Sequence, residues 1–340
     1  MQLSEAHIAG VGIAEHQSSS SLQSLAISAS IKALLDAGVT YSDLDLLILG
    51  SYQERPIPRS ALQALGQEGA PICEVDNDFA LSTAIACIRS RSSNCSLVLG
   101  LDRTAGNGNV VVATIVVSNH FLTSHAYLKD QAINVLGSSL SSKASQDAAA
   151  ILWRTIESAL RQARLGPKDL QVVQAQNVTK DTAVGKALAA NHVIPPLGQP
   201  TAELDGLMGT GASVEASAGE TGLVALVDLV YRLRGWSHAP NQPVPLTQPQ
   251  HVLHYTLTPS STSSVLILGR SDGRPAPLWN AVKNIRDGRE RLGYNPALEN
   301  RGVTTEDLEA VRGRKGGMPT EAKQLSLPAK GGDRAALARL

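Results

Sequence analysis

Short apolar runs and longer amphipathic segments alternate along the first half of the chain. The run VVVATIVV, residues 110–117, shows no polar alternation, which indicates a strand covered on both faces. Amphipathic segments predict helices, and Gly38 follows the first of these helices at a C-cap position. The pattern predicts strands at residues 7–13, 44–50, 72–75, 97–101 and 110–117, and helices at residues 21–37 and 80–91.

The second half shows a similar order of elements. Its pattern predicts helices at residues 147–164 and 219–234, and strands at residues 170–175, 251–256 and 264–268. Strands that interleave with helices in a doubled βαβ order favour an α/β architecture with two related sheets.

An internal repeat supports the presence of two copies of one unit. Residues 32–51 and 158–177 share an Ala-Leu pair on a helix, a short turn, an Asp-Leu pair and an apolar run, at an offset of 126 residues. A period this long indicates a duplicated domain and not a solenoid. We therefore expect an N-terminal half at residues 1–140, a C-terminal half at residues 141–275, and a charged, partly disordered tail at residues 276–340. One amphipathic helix is expected within this tail, around residues 279–292.

Composition and charge exclude several classes of partner. Hydrophobic residues make up 43% of the chain and charged residues 18%, and the formal net charge is zero, so nothing draws the protein to nucleic acid or to an anionic membrane. No apolar stretch reaches the roughly 18 to 20 residues of a transmembrane helix, so no membrane span is expected. Cys73, Cys87 and Cys95 have no metal-ligand spacing, and their odd number indicates a reducing compartment.

The C-terminus carries a candidate cellular address. Ala338-Arg339-Leu340 is a conservative variant of the Ser-Lys-Leu peroxisomal signal, which a receptor reads at a free C-terminus. The N-terminus lacks the basic-then-apolar form of a signal peptide. We therefore expect a peroxisomal or a cytoplasmic protein.

Three blocks of the sequence carry a family resemblance. Residues 71–90, PICEVDNDFALSTAIACIRS, resemble the nucleophile segment of thiolases, and residues 219–235, GETGLVALVDLVYRLRG, resemble the later glycine-rich segment of that family. Residues 251–270 resemble the closing strand pair of sterol-carrier-protein-type thiolases. The resemblance to the thiolase superfamily covers about residues 5–270 and implies the thiolase fold, in which duplicated βαβ halves form a five-layered αβαβα arrangement.

The same resemblance implies that the catalytic residues of the family are lost. Phe79 stands where the family has its nucleophilic Cys, Ala216 where it has the His of G-H-P, and Gln176 where it has the first residue of H-D-C-F. Neither a phenyl ring, a methyl group nor an amide can replace a thiolate or an imidazole in Claisen chemistry. The alternative is a shifted alignment in which Cys73 or Cys87 is the nucleophile.

Family members also insert a cap that helps to hold coenzyme A. Here only RTAGNGN, residues 103–109, joins two predicted strands at that position, so we expect the cap to be deleted. No cofactor is then expected, and a coenzyme A thioester is retained only as a candidate ligand, with the cofactor-binding residues unknown.

Other polar residues offer alternative chemistry. His254 and Tyr255 align with the His-Asn pair that abuts the family's reaction centre, and they could serve as acid or base in a carbon-carbon bond step without a thiol. The alternative is a loop His that hydrogen-bonds to the backbone and a Tyr that packs in the former pocket. Asp78 and Ser82 are expected to cap the following helix. His120, His125 and His192 are isolated, so no metal site is predicted.

Three functional hypotheses follow from these observations. The first is a catalytically degenerate thiolase-like protein that acts as a homodimer, or as a heteromer with an active thiolase-fold protein, in lipid, sterol or polyketide acyl-thioester metabolism, with residues 72–75 near the interface. The second is a divergent, cysteine-independent aldolase, lyase or condensing enzyme that uses Tyr255 and His254. Ordinary thiolase activity is the third and weakest hypothesis.

Overall fold

The computed structural model describes residues 4–15, 21–51, 57–63, 65, 70–103, 109–129, 131–142, 148–176, 213–217, 222–234, 249–257, 262–271 and 302–312. Its strands are Ala6–Glu15 (β1), Leu46–Ser51 (β2), Ile72–Asp76 (β3), Cys95–Arg103 (β4), Asn109–Ser118 (β5), Ile133–Ser142 (β6), Val172–Gln176 (β7), Ser213–Ser217 (β8), His251–Leu257 (β9) and Thr262–Arg270 (β10). Its helices are Leu22–Ala37 (α1), Ser60–Gln63 (α2), Ala80–Arg89 (α3), Asn119–Ser124 (α4), Ala148–Ala163 (α5), Leu223–Leu233 (α6) and Thr305–Val311 (α7).

The ten strands follow the order β3-β2-β4-β5-β1-β6-β10-β9-β7-β8. The second five strands repeat the order of the first five in mirror image, so β6 corresponds to β1, β7 to β2, β8 to β3, β9 to β4 and β10 to β5. Among the described residues, two pairs join the two halves of the sheet, His7 with Asn134 and Ile8 with Ile133. The duplication predicted from the repeat is therefore confirmed by the topology.

Three buried clusters divide the molecule into layers. The first packs α1 on the outer face of the N-terminal half-sheet, the second packs α3 and α6 between the two half-sheets, and the third packs α5 on the outer face of the C-terminal half-sheet. Helix, sheet, paired helices, sheet and helix make five layers. The predicted αβαβα arrangement is confirmed.

Most predicted elements lie where the hydrophobic pattern placed them, and Gly38 ends α1 with a left-handed φ of 64°. The pattern missed β6 and β8, because Ser and Gly interrupt the apolar positions of β6. Since β6 pairs with β10, the C-terminal half begins before residue 140, where we had expected its boundary. The segment expected to be tail also contributes α7, whose Leu308 and Val311 pack on the first core cluster. The helix expected near residues 279–292 lies outside the described residues.

Equivalent arginines from the middle layer reach across to the opposite half. Arg234, after α6, donates from Nη2 to the carbonyl of Ala9 in β1 at 2.9 Å and from Nη1 to Oδ2 of Asp36 in α1 at 2.8 Å. The ladder of β1 shifts register at this point, between Ile8 and Gly10, and the N–H of Val11 donates to the same carboxylate at 2.8 Å. The ion pair therefore satisfies backbone groups that the bulge leaves out of the ladder.

The second crossing is made by Arg89 at the end of α3. Its guanidinium donates to the carbonyl of Val135 in β6 at 2.9 Å and to Oε1 of Gln162 in α5 at 3.2 Å. The register of β6 against β10 also shifts here. Gln162 lies 126 residues after Asp36, so the two crossings are copies of one arrangement.

No described helix is long and apolar enough to cross a bilayer.

Candidate functional site

A small cleft, with a cavity volume of about 30 Å³ and partly open to solvent, lies where the N-terminal ends of α3 and α6 meet the inner face of β9 and β10. Helix N-termini favour electron-rich groups because their first N–H groups lack helical partners. The described residues that line the cleft are Asn77, Asp78, Leu81, Ser82, Leu223, His254, Thr256, Ser264 and Leu266.

The start of α3 is fixed to the sheet by Asn77. Its buried side chain accepts from the N–H of Leu101 at 2.7 Å and donates to the carbonyl of Leu101 at 3.0 Å. A Cβ on Gly50 would lie 2.7 Å from Oδ1 of Asn77, so the strand beside it needs a glycine. The sequence predicted Asp78 and Ser82 as caps. Asp76 instead supplies the side-chain cap of the turn, and Asp78 and Ser82 line the cleft.

Phe79 is the N-cap residue of α3 and makes no capping hydrogen bond through its side chain. The three cysteines lie elsewhere. Cys73 is in the edge strand β3, Cys95 is buried in β4 where burial raises the pKa of its thiol, and Cys87 follows Phe79 by eight residues of helix, about 12 Å along its axis. No cysteine is among the described residues that line the cleft.

The start of α6 is held by a residue from the other half. Oδ2 of the buried Asp102, in β4, accepts from the N–H of Val224 at 3.1 Å and so caps the helix. Gly222 precedes the helix with a φ of 72°, and a Cβ there would lie 3.2 Å from Cε1 of His254 and 2.8 Å from Cγ2 of Thr256. His254 therefore packs directly against the entry to α6.

His254 lies in the middle of β9, with its side chain 4% exposed on the cleft side. Its Nδ1 has no hydrogen-bond partner among the described residues. Burial lowers the pKa of His254 to about 4, so the imidazole is neutral at neutral pH. Through Nδ1, a neutral imidazole can donate or accept one hydrogen bond with an incoming group, according to its tautomer.

Gln174, in β7, is a polar residue of this region that the sequence analysis did not identify. It pairs with His254 in the parallel register of β7 and β9, is 5% exposed, and its Oε1 has no partner among the described residues. The repeat contained a signal for it, because Gln174 falls on Ile48 of the first copy and interrupts an otherwise apolar run.

The structure does not bring Tyr255 to the cleft. Successive residues of a strand face opposite sides, and Tyr255 packs in the outer core cluster with Leu253 and Val265. Burial raises the pKa of Tyr255 to about 12, so the phenol stays protonated. His254 and Tyr255 therefore lie on opposite faces of one sheet and do not form a joint site.

The other two residues that the resemblance aligns with thiolase catalytic positions, Gln176 and Ala216, lie on two neighbouring strands. Gln176 is the last residue of β7, and it pairs with Ser217 of β8, next to the pair of Ala175 with Ala216. His120 is exposed, the ring of His125 stacks on Phe121 at 4.0 Å, and His192 lies outside the described residues. Within the described part of the chain, no group of three or more His, Cys, Asp or Glu side chains could hold a metal ion.

Comparison with solved structures shows what the chain is similar to. The Ltp2-ChsH2(DUF35) aldolase matches with a TM-score of 0.59 and 15% identity, over 78% of this chain and 98% of that one. The monomeric SCP2-thiolase-like protein type 1 of Mycobacterium smegmatis matches with a TM-score of 0.55 and 14% identity, over 84% and 82%. The oxazolomycin ketosynthase domain OzmH KS8 of Streptomyces albus JA3453 matches with a TM-score of 0.55 and 13% identity, over 82% and 98%.

No protein-family model and no curated protein sequence matches the chain. At 13 to 15% identity these similarities establish the fold. The protein therefore has the fold of the thiolase superfamily, as its sequence motifs indicated.

Proposed function

We propose that this protein binds acyl thioesters without forming an acyl-cysteine, and that it acts as a dimeric partner or scaffold in lipid, sterol or polyketide metabolism. The observation that carries the proposal is the start of α3, where Phe79 is the N-cap and no thiol lines the cleft in the described residues. Acyl transfer through cysteine needs a thiolate at such a position, where the helix N-terminus lowers the thiol pKa. A coenzyme A thioester is the proposed ligand.

The similar structures support this ligand class. They include an oxazolomycin ketosynthase domain, an aldolase and an SCP2-thiolase-like protein. The cleft supports it as well, since its described lining combines hydroxyl and imidazole groups with leucine side chains. The deletion of the cap stays a prediction, and β4 and β5 form a hairpin joined by residues 104–108.

The proposed partner is a second copy or an active thiolase-fold protein, docked on β3. This strand is the edge of the sheet, and Cys73 and Val75 on it are only partly buried. An edge strand presents unpaired N–H and C=O groups that a partner strand can satisfy. The similar structures include both a ketosynthase in complex with its acyl-carrier protein and a monomeric SCP2-thiolase-like protein, so the assembly of this chain requires measurement.

Intact-mass spectrometry after incubation with butyryl-pantetheine tests the absence of acyl-cysteine chemistry. We expect no mass increase for the native protein and one butyryl group on the Phe79→Cys variant, because the new thiol stands at the helix N-terminus. Phe79→Ser is the matched control, since it opens the same space without a thiol. Acylation of the native protein, lost in Cys73→Ser or Cys87→Ser, would contradict the proposal.

Sedimentation velocity tests the assembly. We expect a particle of twice the 35.7 kDa chain mass, or a stable complex with a thiolase-fold protein that co-purifies from the native host. Glu74→Pro and Val75→Pro remove N–H groups that point to opposite sides of β3, and one of the two should release the partner while the sheet persists. A monomer at every concentration that also purifies alone would contradict the partner role.

A second candidate function, a cysteine-independent lyase or condensing enzyme, is favoured by the position of His254 in the cleft. Its neutral imidazole could accept a proton from a bound substrate. Product formation from a 3-hydroxyacyl thioester that His254→Ala abolishes and Tyr255→Phe preserves would support this function over the scaffold role. Equal product with both variants would exclude it.

A further inference from the structure

Gln174 and His254, hereafter the polar pair, occupy positions that are hydrocarbon in the other half of the molecule. They face each other in the register of β7 and β9, and the equivalent partners in β2 and β4 are Ile48 and Val98. Ile48 and Val98 are buried in the core between the two half-sheets. Because the first half folds with hydrocarbon side chains at this pair of positions, the fold itself does not need polar groups there.

The polar pair also contains two buried atoms without partners. Oε1 of Gln174 and Nδ1 of His254 make no hydrogen bond among the described residues, although both side chains are at least nine-tenths buried. A buried polar atom without a partner lowers the stability of the folded state, because it loses its hydrogen bonds to water and gains none in return. At this position the cost arises in the second half only, which indicates that the two atoms have a partner outside the described residues.

The chemistry of the two atoms restricts that partner. An amide oxygen only accepts hydrogen bonds, so the group that meets Gln174 must donate one. The imidazole nitrogen donates or accepts, according to its tautomer. A single hydroxyl group can donate to Oε1 and accept from Nδ1–H, whereas a ketone oxygen can donate to neither. Neighbouring strands lie about 4.8 Å apart, so one oxygen can reach both side chains.

We propose that the polar pair binds a hydroxyl group of the ligand, which makes the cleft selective for hydroxylated acyl thioesters over their deoxy and keto counterparts. This inference rests on the proposed acyl-thioester function. His254 lines the cleft, and Gln174 lies beside it on the next strand. The polar pair is therefore a specificity determinant, and its action does not require a catalytic thiol.

Isothermal titration with 3-hydroxybutyryl-, 3-oxobutyryl- and butyryl-pantetheine tests the selectivity. We expect the hydroxylated thioester to bind about tenfold more tightly than the other two, which corresponds to one buried hydrogen-bond pair. The double variant Gln174→Ile/His254→Val copies the first half. It should bind all three thioesters within about twofold of one another, while its midpoint of thermal unfolding rises by a few degrees because two unsatisfied groups are removed.

Tyr255→Phe is the matched control, because it changes the neighbouring residue on the opposite face of β9 and should keep the native preference. Equal binding of the three thioesters by the native protein, or a preference that survives in the double variant, overturns the inference and leaves acyl-thioester binding intact. Failure of all three thioesters to bind overturns the proposed function and the inference together.

Nitrogen-15 NMR of the histidines gives a readout on the unmodified protein. Saturation with 3-hydroxybutyryl-pantetheine should shift the Nδ1 signal of His254, and butyryl-pantetheine should leave it in place. The signal is assigned with His254→Gln. An Nδ1 signal that does not respond to the bound hydroxylated ligand overturns the inference even if the double variant fails to fold.

Discussion

Each half of this molecule contacts the other through an equivalent arginine, but the two contacts differ in charge and in burial. The Arg234 contact is a closed ion pair, in which the side chains of Arg234 and Asp36 are 1% and 2% exposed. The Arg89 contact uses the neutral Gln162 and is partly exposed. Both copies therefore keep an arginine that contacts the strand next to a register shift. The partner of this arginine is a carboxylate in one copy and an amide in the other.

The inner faces of the two half-sheets also differ in polarity, and here the polar side chains lie in the second half. The first half buries Ile48 and Val98 at the level where the second half buries Gln174 and His254. A feature present in both halves, such as the arginine crossing, serves the fold. A feature found in one half only, such as the polar pair, is a candidate for function. The duplication therefore supplies an internal reference for separating these two roles.

The largest expected effect is the loss of Arg234. Arg234→Met should lower the free energy of unfolding by about 3–5 kcal/mol, because it leaves the buried carboxylate of Asp36 without its counter-charge. Denaturant unfolding measures the change. The double variant Asp36→Leu/Arg234→Met should recover the part of the loss that comes from the uncompensated charge, while the backbone groups of Ala9 and Val11 stay without their side-chain partners. No recovery at all would show that charge pairing is not a source of the effect.

The pH dependence of stability should reveal His254, which the inner face of the second half-sheet carries where the first half-sheet has Val98. Because burial lowers the folded-state pKa of His254 from 6.5 to about 4, the unfolded chain binds the proton more tightly. Stability is then complete above about pH 6.5 and decreases as the pH falls toward 4. Between pH 7 and pH 5 His254 should contribute a loss of about 2 kcal/mol. His254→Val, which copies Val98, should reduce the measured pH dependence by that amount.

His7 serves as the control for this experiment. It is also buried, burial lowers its pKa to about 4, and it lies at the seam between the half-sheets and away from the cleft. The pH dependence that persists in His254→Val should therefore disappear largely when His7→Val is added. An unchanged dependence in His254→Val would show that His254 is not buried in its neutral form.

The second arginine crossing should matter less than the first. Arg89→Met removes hydrogen bonds to Val135 and Gln162 but leaves no buried charge uncompensated, so we expect a loss of about 1–2 kcal/mol in the free energy of unfolding. A loss equal to that of Arg234→Met would mean that backbone satisfaction at the bulge, and not charge pairing, dominates both crossings.

The smallest expected difference lies in the repeated Asp-Leu turn. Oδ2 of Asp43 accepts from both the N–H and the hydroxyl of Thr40 at 2.8 Å, whereas Oδ2 of Asp169 accepts from the N–H of Gly166 at 2.7 Å. Asp43→Ala should cost about 1 kcal/mol and Asp169→Ala about half of that, measured by thermal unfolding. The reverse order would show that the hydroxyl of Thr40 adds no stability.

Hydrophobic periodicity predicted most helices and strands of this chain because local patterns encode local structure. The apolar run at residues 110–117 became a fully buried strand, and the motif around Phe79 became the start of α3. The periodicity failed at β6, where Ser138, Ser139 and Ser141 occur in a strand that pairs on both sides. Pairing partners that are distant in the chain decide such a segment, and a local window does not contain them.

The sequence alone determined the duplication, the five-layered fold and the absence of a thiol at the aligned nucleophile position, because a repeat and a motif are properties of the chain itself. Only the tertiary structure decided which polar residues meet. It placed His254 in the cleft and Tyr255 in the outer core, although they are neighbours in the chain, because successive residues of a strand face opposite layers. It also brought Gln174 beside His254 from 80 positions away, since strand pairing and not sequence distance sets which side chains share an environment.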